Sequence, residues 1–166
     1  MEKASKNMFP ILRPDDDRLK RFALFSGLGP DELTTLLKLT DCVSVSKGFK
    51  IIKNGEGGFC LYLILEGSAG VYAPPPDGEV ELSRFGQGDF FGEISLVDDG
   101  PRSADVVALE ACTLLRITRV TIGVLAGLQP TAAIQILSAI GSELVKRLRA
   151  ANLKYIDLLH QTDGRH

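Results

Sequence analysis

The chain has 166 residues, of which 45% are hydrophobic and 24% are charged. This composition predicts a globular protein with one domain and excludes a largely disordered chain. The 19 basic and 21 acidic residues give a net charge of −2, which argues against nucleic acid as a partner.

Histidines, cysteines and apolar runs exclude further classes of protein. The only histidines are His160 and His166, so a zinc or iron site built from histidines is not expected. Cys42, Cys60 and Cys112 form no CxxC motif, and we interpret them as buried thiols in a reducing compartment. Because no run reaches the roughly 18 apolar residues of a membrane span and no signal peptide is visible, we expect a cytoplasmic protein without a membrane partner.

The N-terminal part predicts a tail followed by helices. Residues 1–17 are polar and interrupted by prolines, which is typical of a tail. A turn is predicted at Gly27–Pro30, and a helix is predicted to begin with Pro30 at its first position and to end near Leu39. Proline suits the first position of a helix, and the acidic pair that follows it suits the first turn.

The middle of the chain has the spacing of an all-β domain. The stretch FCLYLILEG is apolar up to Leu65 and ends at Gly67, which predicts a strand buried on both faces. After a Pro-Pro-Pro-Asp-Gly turn at 74–78, Val80 and Leu82 alternate with polar residues, as in a half-exposed strand. Six to eight short strands predict a mainly β fold, a β jelly roll (double-stranded β-helix) at about 42–118 with flanking helices.

The C-terminal part predicts one long helix, from about 131 to 160, followed by a tail at 161–166. Its apolar seam recurs at alternating steps of four and three residues, as in a coiled coil: Leu137, Gly141, Leu144, Leu148, Ala151, Tyr155 and Leu158. Such a helix is about 45 Å long at ~1.5 Å per residue. Its second half is therefore predicted to pack on another chain in a homodimer; the alternative is a helix that lies wholly on its own domain.

The stretch DFFGEISLVDDGPRSADVV combines groups that suit one small phosphorylated ligand. Gly92 allows the backbone to approach a ligand closely, and the N–H groups of a short helix after it would favour an anion. The carboxylate of Glu93 can accept a hydrogen bond from a sugar hydroxyl. The guanidinium of Arg102 matches phosphate oxygens in bidentate fashion. Ser103 adds a hydroxyl, and Ala104 adds a small surface.

Two ordinary explanations of these side chains stay open at this point. In the first, Glu93 only stabilises the N-terminus of its own helix. In the second, Arg102 forms a surface ion pair worth ~0–1 kcal/mol with Asp98, Asp99 or Asp105.

The stretches LFSGLGPDEL, LYLILEGSAGVY, GDFFGE and PRSADV, together with the long final helix, resemble the cyclic nucleotide-binding domain family. This family includes catabolite activator proteins, regulatory subunits of cyclic-AMP-dependent kinase and cyclic-nucleotide-gated channels. The resemblance runs from about Leu19 to Leu159, so we expect one such domain at 18–160. It implies a stand-alone sensor that is not an enzyme and that acts through conformational change and contacts with a protein partner.

The resemblance also implies roles for residues of the stretch DFFGEISLVDDGPRSADVV, at 89–107, which is called the cassette below. Gly92 and Ile94 would offer backbone groups to the ligand, and Glu93 would bind the ribose 2′-hydroxyl. Arg102 would pair with the cyclic phosphate, with help from Ser103. Serine at 103, where threonine is associated with guanine preference, favours cyclic AMP over cyclic GMP.

Residues near the base follow from the same resemblance. Leu82 and Ser83 would line the pocket there, and the helix residues that cap the base fall near Arg147, Ala151 and Asn152. The hydroxyl-bearing residues that hold adenine in some activators are absent from this part of the chain.

Two other functions are weighed against this one. A ligand-independent interaction or scaffold protein would keep the fold, although such members usually lose the arginine or glutamate of the cassette. A metal enzyme of the cupin type needs a cluster of barrel histidines, and none precedes His160. Activator-type relatives carry a winged helix-turn-helix after the long helix, whereas QTDGRH is too short for one, so the output is expected through an unknown protein partner or the dimer.

Overall fold

The computed structural model describes residues 17–74, 76 and 80–163, and in them two antiparallel four-stranded sheets lie beside a set of helices. The sheet orders are β1-β8-β3-β6 and β2-β7-β4-β5. The strands are β1 (Asp41–Val45), β2 (Lys50–Ile52), β3 (Cys60–Glu66), β4 (Ala69–Tyr72), β5 (Glu81–Phe85), β6 (Phe90–Phe91), β7 (Asp105–Ala108) and β8 (Cys112–Thr118). The helices are α1 (Asp17–Arg21), α2 (Pro30–Lys38), α3 (Arg119–Leu128), α4 (Pro130–Asp163) and a short 3-10 helix (Glu93–Leu96). The predicted β jelly roll with flanking helices is confirmed.

Strand β3 explains how the two hydrophobic cores meet. Leu61, Leu63 and Leu65 face one cluster, called the helical cluster below. It also contains the buried leucines of α2 and the buried alanines and isoleucines of the first half of α4. Ile64 faces the second cluster, which fills the space between the two sheets together with Phe91. Because consecutive side chains of a strand point to opposite faces, this strand is apolar on both, as its sequence predicted.

Helix α2 follows the predicted signals closely. It begins at Pro30, and the carboxylate of Glu32 accepts a hydrogen bond of 2.8 Å from the N–H of Gly29. This bond satisfies a donor at the helix N-terminus that has no partner within the helix. The helix ends at Lys38, one residue before the predicted end.

Helix α3 was not predicted from the sequence. Its N-cap is Thr118, whose hydroxyl accepts a hydrogen bond of 3.0 Å from the N–H of Thr121. Leu125 is fully buried, and Ile122 packs against the same helical cluster. The helix therefore connects the end of β8 to the start of α4 through apolar contacts rather than as a loop.

Helix α4 runs from Pro130 to Asp163 and is three residues longer at its C-terminus than predicted. Its first part buries Ala132, Ala133, Ile136 and Ile140 in the helical cluster. From 148 to 162 every described side chain is exposed. The second half of α4 therefore has no contact surface on its own domain that could bury its apolar residues.

Strand β5 differs from its prediction. Residues 81–84 are exposed on both faces, and Leu82 keeps 51% of its surface exposed, so the half-buried alternation predicted here was wrong. The physical reason is position: β5 is the edge strand of its sheet. Most of the predicted turn at 74–78, the predicted tail up to residue 16 and residues 164–166 lie outside the described residues.

The three cysteines are free thiols. Burial raises the pKa of Cys42 and Cys112 above the ordinary value, because the thiolate loses its hydration in an apolar environment.

Across 17–74, 76 and 80–163, no helix is long and apolar enough to cross a bilayer. Within those same residues, no cluster of three or more His, Cys, Asp or Glu side chains could hold a metal ion.

Candidate functional site

A cavity of about 250 Å³ is bordered by the short 3-10 helix and by the loop that leads into β7. Arg147 of α4 also lines it. Six of the nine residues predicted for the site line this cavity: Gly92, Glu93, Ile94, Arg102, Ser103 and Ala104. The structure thus brings together side chains from both ends of the predicted cassette.

Gly92 holds the N-terminal end of the cassette in a conformation that side chains disfavour. Its φ is +79°, in the left-handed region where a Cβ clashes with the backbone. A Cβ built there would lie 2.8 Å from Nη1 of Arg102 and 3.1 Å from the carbonyl oxygen of Cys60. Glycine is therefore required both by the backbone angle and by the close approach of the guanidinium.

Replacing Gly92 with alanine should lower the free energy of unfolding by about 1–3 kcal/mol, the range for a strained backbone conformation. Urea denaturation measures this change. Gly123→Ala is the matched control, because an added Cβ in α3 would meet no atom within 4 Å and alanine favours a helix. Equal stability of the two variants would contradict the requirement for glycine at 92.

The backbone of Arg102 is held by the turn that follows β2. Arg102 donates its N–H to the carbonyl of Glu56 at 2.9 Å, and its own carbonyl accepts from the N–H of Gly55 at 2.9 Å. The side-chain amide of Asn54 donates to the same carbonyl at 3.1 Å. The Asn-Gly turn signal in the sequence therefore positions the arginine.

The guanidinium of Arg102 lies against backbone carbonyls rather than carboxylates. Nη1 donates to the carbonyl of Gly92 and Nη2 to the carbonyl of Cys60, both at 2.8 Å. Nη2 also forms a longer contact of 3.8 Å with the sulfur of Cys60, so two of the five guanidinium N–H donors form no hydrogen bond with the described residues. A Cβ at Gly58 would collide with this group, so a second glycine makes room for it.

The structure does not contain the surface ion pair that was the alternative explanation of Arg102. Asp99 pairs with Arg119 at 2.6 Å, and Asp105 pairs with Lys50 at 2.6 Å. Within 17–74, 76 and 80–163, the ion pairs of 4.0 Å or less do not include Arg102. A half-buried cation without a paired carboxylate, at the edge of a cavity, suits an anionic ligand.

Glu93 is buried, with 6% of its surface exposed, although it lies in the first turn of the short 3-10 helix. A carboxylate that only favoured a helix N-terminus would stay in water, because burying a charge is costly without a partner. Its Oε1 accepts from Nη1 of Arg147 at 3.3 Å. The carboxylate thus faces the cavity and contacts a cation from α4.

Arg119, the first residue of α3, ties the cassette to the helices. It donates to the carbonyl of Ser95 at 2.9 Å and to that of Asp98 at 3.3 Å. It also pairs with Asp99 at 2.6 Å. A displacement of the cassette would therefore change the contacts of Arg119 at the start of α3, and α3 packs on α4.

Three predicted residues lie outside the lining of the cavity: Leu82, Ser83 and Asn152. The exposed edge strand β5 carries the first two, and Asn152 lies in the exposed half of α4. Their contact with a ligand remains a prediction. Of the three helix positions proposed to cap the base, the structure brings only Arg147 to the cavity.

Apolar residues of the lining were not predicted as part of the site. They come from several strands of both sheets: Ile52, Val71, Phe85, Phe91 and Val106. The sequence contained their strand periodicity, but it did not indicate which strands would meet at one cavity.

Comparison with known proteins identifies relatives of this chain in sequence and in fold. Residues 42–126 match the family described as the cyclic nucleotide-binding domain. The chain is 30% identical over 145 residues to a CRP-like cAMP-activated global transcriptional regulator of Mycobacterium tuberculosis, covering 87% of this chain and 63% of that protein. The chain thus spans just under two thirds of that relative.

Two solved structures are similar in sequence and fold. The Thermus thermophilus catabolite activator protein is 33% identical with a TM-score of 0.71, covering 82% of this chain and 62% of that one. The regulatory domain of Toxoplasma gondii PKA, crystallised with cAMP, is 27% identical with a TM-score of 0.64, covering 79% of this chain and 50% of that one.

Proposed function

Since this chain belongs to the cyclic nucleotide-binding domain family, we propose that it binds cyclic AMP in the cavity beside Glu93 and Arg102. The chain is related to activator proteins and to kinase regulatory subunits, and we propose that it is a regulatory module rather than an enzyme. The proposed unit is the segment 18–160, acting in the cytoplasm. One observation carries the proposal: Arg102, which has no carboxylate partner among the described residues, and the buried carboxylate of Glu93 border the same cavity.

The phosphate end is assigned to Arg102. The cyclic phosphate carries one negative charge, and the remaining guanidinium donors match two of its oxygens. Ser103 and Ala104 line the same cavity, and the hydroxyl of Ser103 supplies a further donor.

The ribose end is assigned to Glu93, whose carboxylate can accept a hydrogen bond from the 2′-hydroxyl. The backbone of Gly92 and Ile94 lies next to it, and both residues line the cavity. For the base, cyclic AMP is preferred over cyclic GMP because serine stands at position 103. Similarity to a cAMP-activated regulator and to a PKA regulatory domain that binds cAMP supports the same choice.

The binding proposal is tested by thermal unfolding with cyclic AMP, cyclic GMP and, as a control, 5′-AMP, which has an open dianionic phosphate. A ligand at 100 times its Kd should stabilise the fold by ~2.7 kcal/mol, which is roughly 5–10 °C for a domain of this size. Cyclic AMP should raise the melting temperature most and 5′-AMP least. No shift with either cyclic nucleotide would favour the ligand-independent scaffold instead.

The proposed output is a homodimer built on α4, through which a protein partner is contacted. Along the seam Leu148, Tyr155 and Leu158 keep 62%, 63% and 59% of their surfaces exposed. Apolar side chains at this spacing on an exposed helix are stabilised when a second helix covers them.

The expected mass in solution is therefore that of two chains, measured by light scattering after size exclusion. Leu148→Glu should shift the mass to one chain, because the second helix would bury this position in the dimer and burying an unpaired charge is costly. Ala150→Glu, exposed but outside the seam, is the control and should remain dimeric. A parent protein with the mass of a single chain at about 100 μM would contradict the dimer.

A further inference from the structure

Asp105, the first residue of β7, lies on the face of its strand that points away from the cavity. Its neighbours Ala104 and Val106 line the cavity and Asp105 does not, as expected where consecutive side chains of a strand alternate. We therefore expect no direct contact between this carboxylate and a nucleotide. Its side chain is nevertheless only 16% exposed, which for a charged group requires partners within the fold.

Each carboxylate oxygen of Asp105 has its own partner. Oδ1 accepts a hydrogen bond of 2.7 Å from the backbone N–H of Asn54, and Oδ2 accepts one of 2.6 Å from Nζ of Lys50. The bond with the lysine, followed by the bond with the amide, lowers the pKa of Asp105 below its ordinary value. The carboxylate therefore stays ionised at neutral pH and holds a segment that lies 51 residues earlier in the chain.

The segment held by Asp105 is the turn that supports Arg102. The side-chain amide of Asn54 and the N–H of Gly55 donate to the carbonyl of Arg102, at 3.1 and 2.9 Å. The N–H of Arg102 donates to the carbonyl of Glu56 at 2.9 Å. Asn54 thus joins the two residues, because Asp105 holds its backbone and its own side chain holds Arg102.

The direction of the Arg102 guanidinium depends on support at both ends of the residue. Groups that bind a ligand need to be held within roughly 0.5 Å of the productive geometry by hydrogen bonds from outside the site, and a bidentate contact with phosphate is especially directional. At the guanidinium end, the carbonyls of Gly92 and Cys60 accept one bond each. At the backbone end, the turn at 54–56 makes three bonds, and Asp105 fixes that turn to β7.

We propose that Asp105 is a positioning residue for the phosphate end of the site: it fixes the turn at 54–56 against the start of β7, and the turn holds Arg102 in the direction that binds the phosphate. This inference rests on the proposed function and adds a residue that lies outside the cavity lining. The role is the opposite of the ion pair with Arg102 that the sequence left open, because Asp105 supports the arginine without neutralising it.

The test is a double-mutant cycle of Asp105 and Arg102, measured by calorimetry with cyclic AMP at a temperature where all four proteins are folded. Asp105→Ala should bind cyclic AMP about 5- to 30-fold more weakly than the parent, within the range of coupling between residues of one hydrogen-bond network. In the Arg102→Ala background the same change should cost less than about twofold, because the arginine through which Asp105 acts is absent. A general weakening of the fold would instead lower the affinity by the same factor in both backgrounds.

Asp105→Asn is the conservative variant. Its amide oxygen can still accept from the N–H of Asn54, while the ion pair with Lys50 is lost. Because the turn stays attached, this variant should recover most of the affinity that Asp105→Ala loses. It decides the question without the cycle if Arg102→Ala binds too weakly to measure.

Asp41→Ala is the matched control. Asp41 forms a cross-strand ion pair of the same length, 2.6 Å, with Arg116, and neither residue lines the cavity. Its affinity for cyclic AMP should equal that of the parent. If Asp105→Ala does not fold, Asn54→Ala takes its place in the cycle, because it removes the side-chain donor to the carbonyl of Arg102.

The positioning role would be overturned by a parent-like affinity of Asp105→Ala, by an equal loss in both Arg102 backgrounds, or by an Asp105→Asn protein as weak as Asp105→Ala. In each of these cases the parent still binds cyclic AMP, so the proposed function stands. A parent that binds no cyclic nucleotide would overturn the proposed function itself.

Discussion

Arg102→Ala should lower the affinity for cyclic AMP by about 2–4 kcal/mol, which is roughly 30- to 1000-fold. The variant loses a charge-assisted contact with the phosphate, and it leaves the anion partly desolvated in a cavity without another described cation except Arg147. The carbonyls of Gly92 and Cys60 also lose their donor. A lower melting temperature without ligand is therefore expected alongside the loss of affinity.

Calorimetry separates these two effects, because it measures binding to the folded fraction at a temperature where the variant is folded. Arg102→Lys is the informative companion: it keeps the charge but not the planar pair of donors, so an intermediate affinity is expected. An Arg102→Ala protein with the affinity of the parent would remove this side chain from the site.

Glu93→Ala should abolish discrimination between cyclic AMP and its 2′-deoxy analogue. A hydrogen bond to a charged group contributes ~1.5–3 kcal/mol, so the parent should prefer the ribose ligand by roughly 10- to 150-fold. The ratio in the variant should be near one. The ratio is the useful quantity, because removing Glu93 also removes one of the two carboxylate partners of Arg147, and the absolute affinity reflects both changes.

Glu143→Ala is the matched control for this measurement. Glu143 also accepts a hydrogen bond from Arg147, but it is not part of the cavity lining. Its variant should therefore keep the preference for the ribose ligand. Unchanged discrimination in Glu93→Ala would refute the role of this carboxylate at the sugar.

The sequence predicted the parts of the molecule that depend on local chemistry. The apolar run that ends before Glu66 predicted a strand with a core on each side, and β3 has both, although Phe59 lies before the strand and is exposed. The Asn54-Gly55 turn signal gave a real turn, in which Gly55 has a φ of +80°. The spacing between Glu93 and Arg102 was short enough for one loop to bring both side chains to one cavity.

Parts that depend on tertiary packing were missed. The segment of α3 is rich in β-branched residues and contains Gly123 and Gly127, which have low helix propensity. It is helical because Thr118 caps it and Leu125 is buried against its neighbours. Tertiary burial here outweighs a local preference that periodicity alone would have assigned to a strand or loop.

The base end of the site shows the same limit. Leu82 and Ser83 were assigned through the family resemblance, but the edge strand that carries them is exposed and outside the cavity lining in this structure. The position of Arg147 on the helix was anticipated, whereas its contacts with Glu93 and Phe90 were not. Such contacts depend on the point at which α4 leaves the domain. The apolar spacing along the helix does not predict that point.

A crystal structure of the chain grown with cyclic AMP is the most direct measurement. We expect nucleotide density in the cavity, with phosphate oxygens within hydrogen-bonding distance of the Arg102 guanidinium and the 2′-hydroxyl on Glu93. An empty cavity at saturating nucleotide, or a nucleotide bound elsewhere with Arg102 still held only by the carbonyls of Gly92 and Cys60, would contradict it.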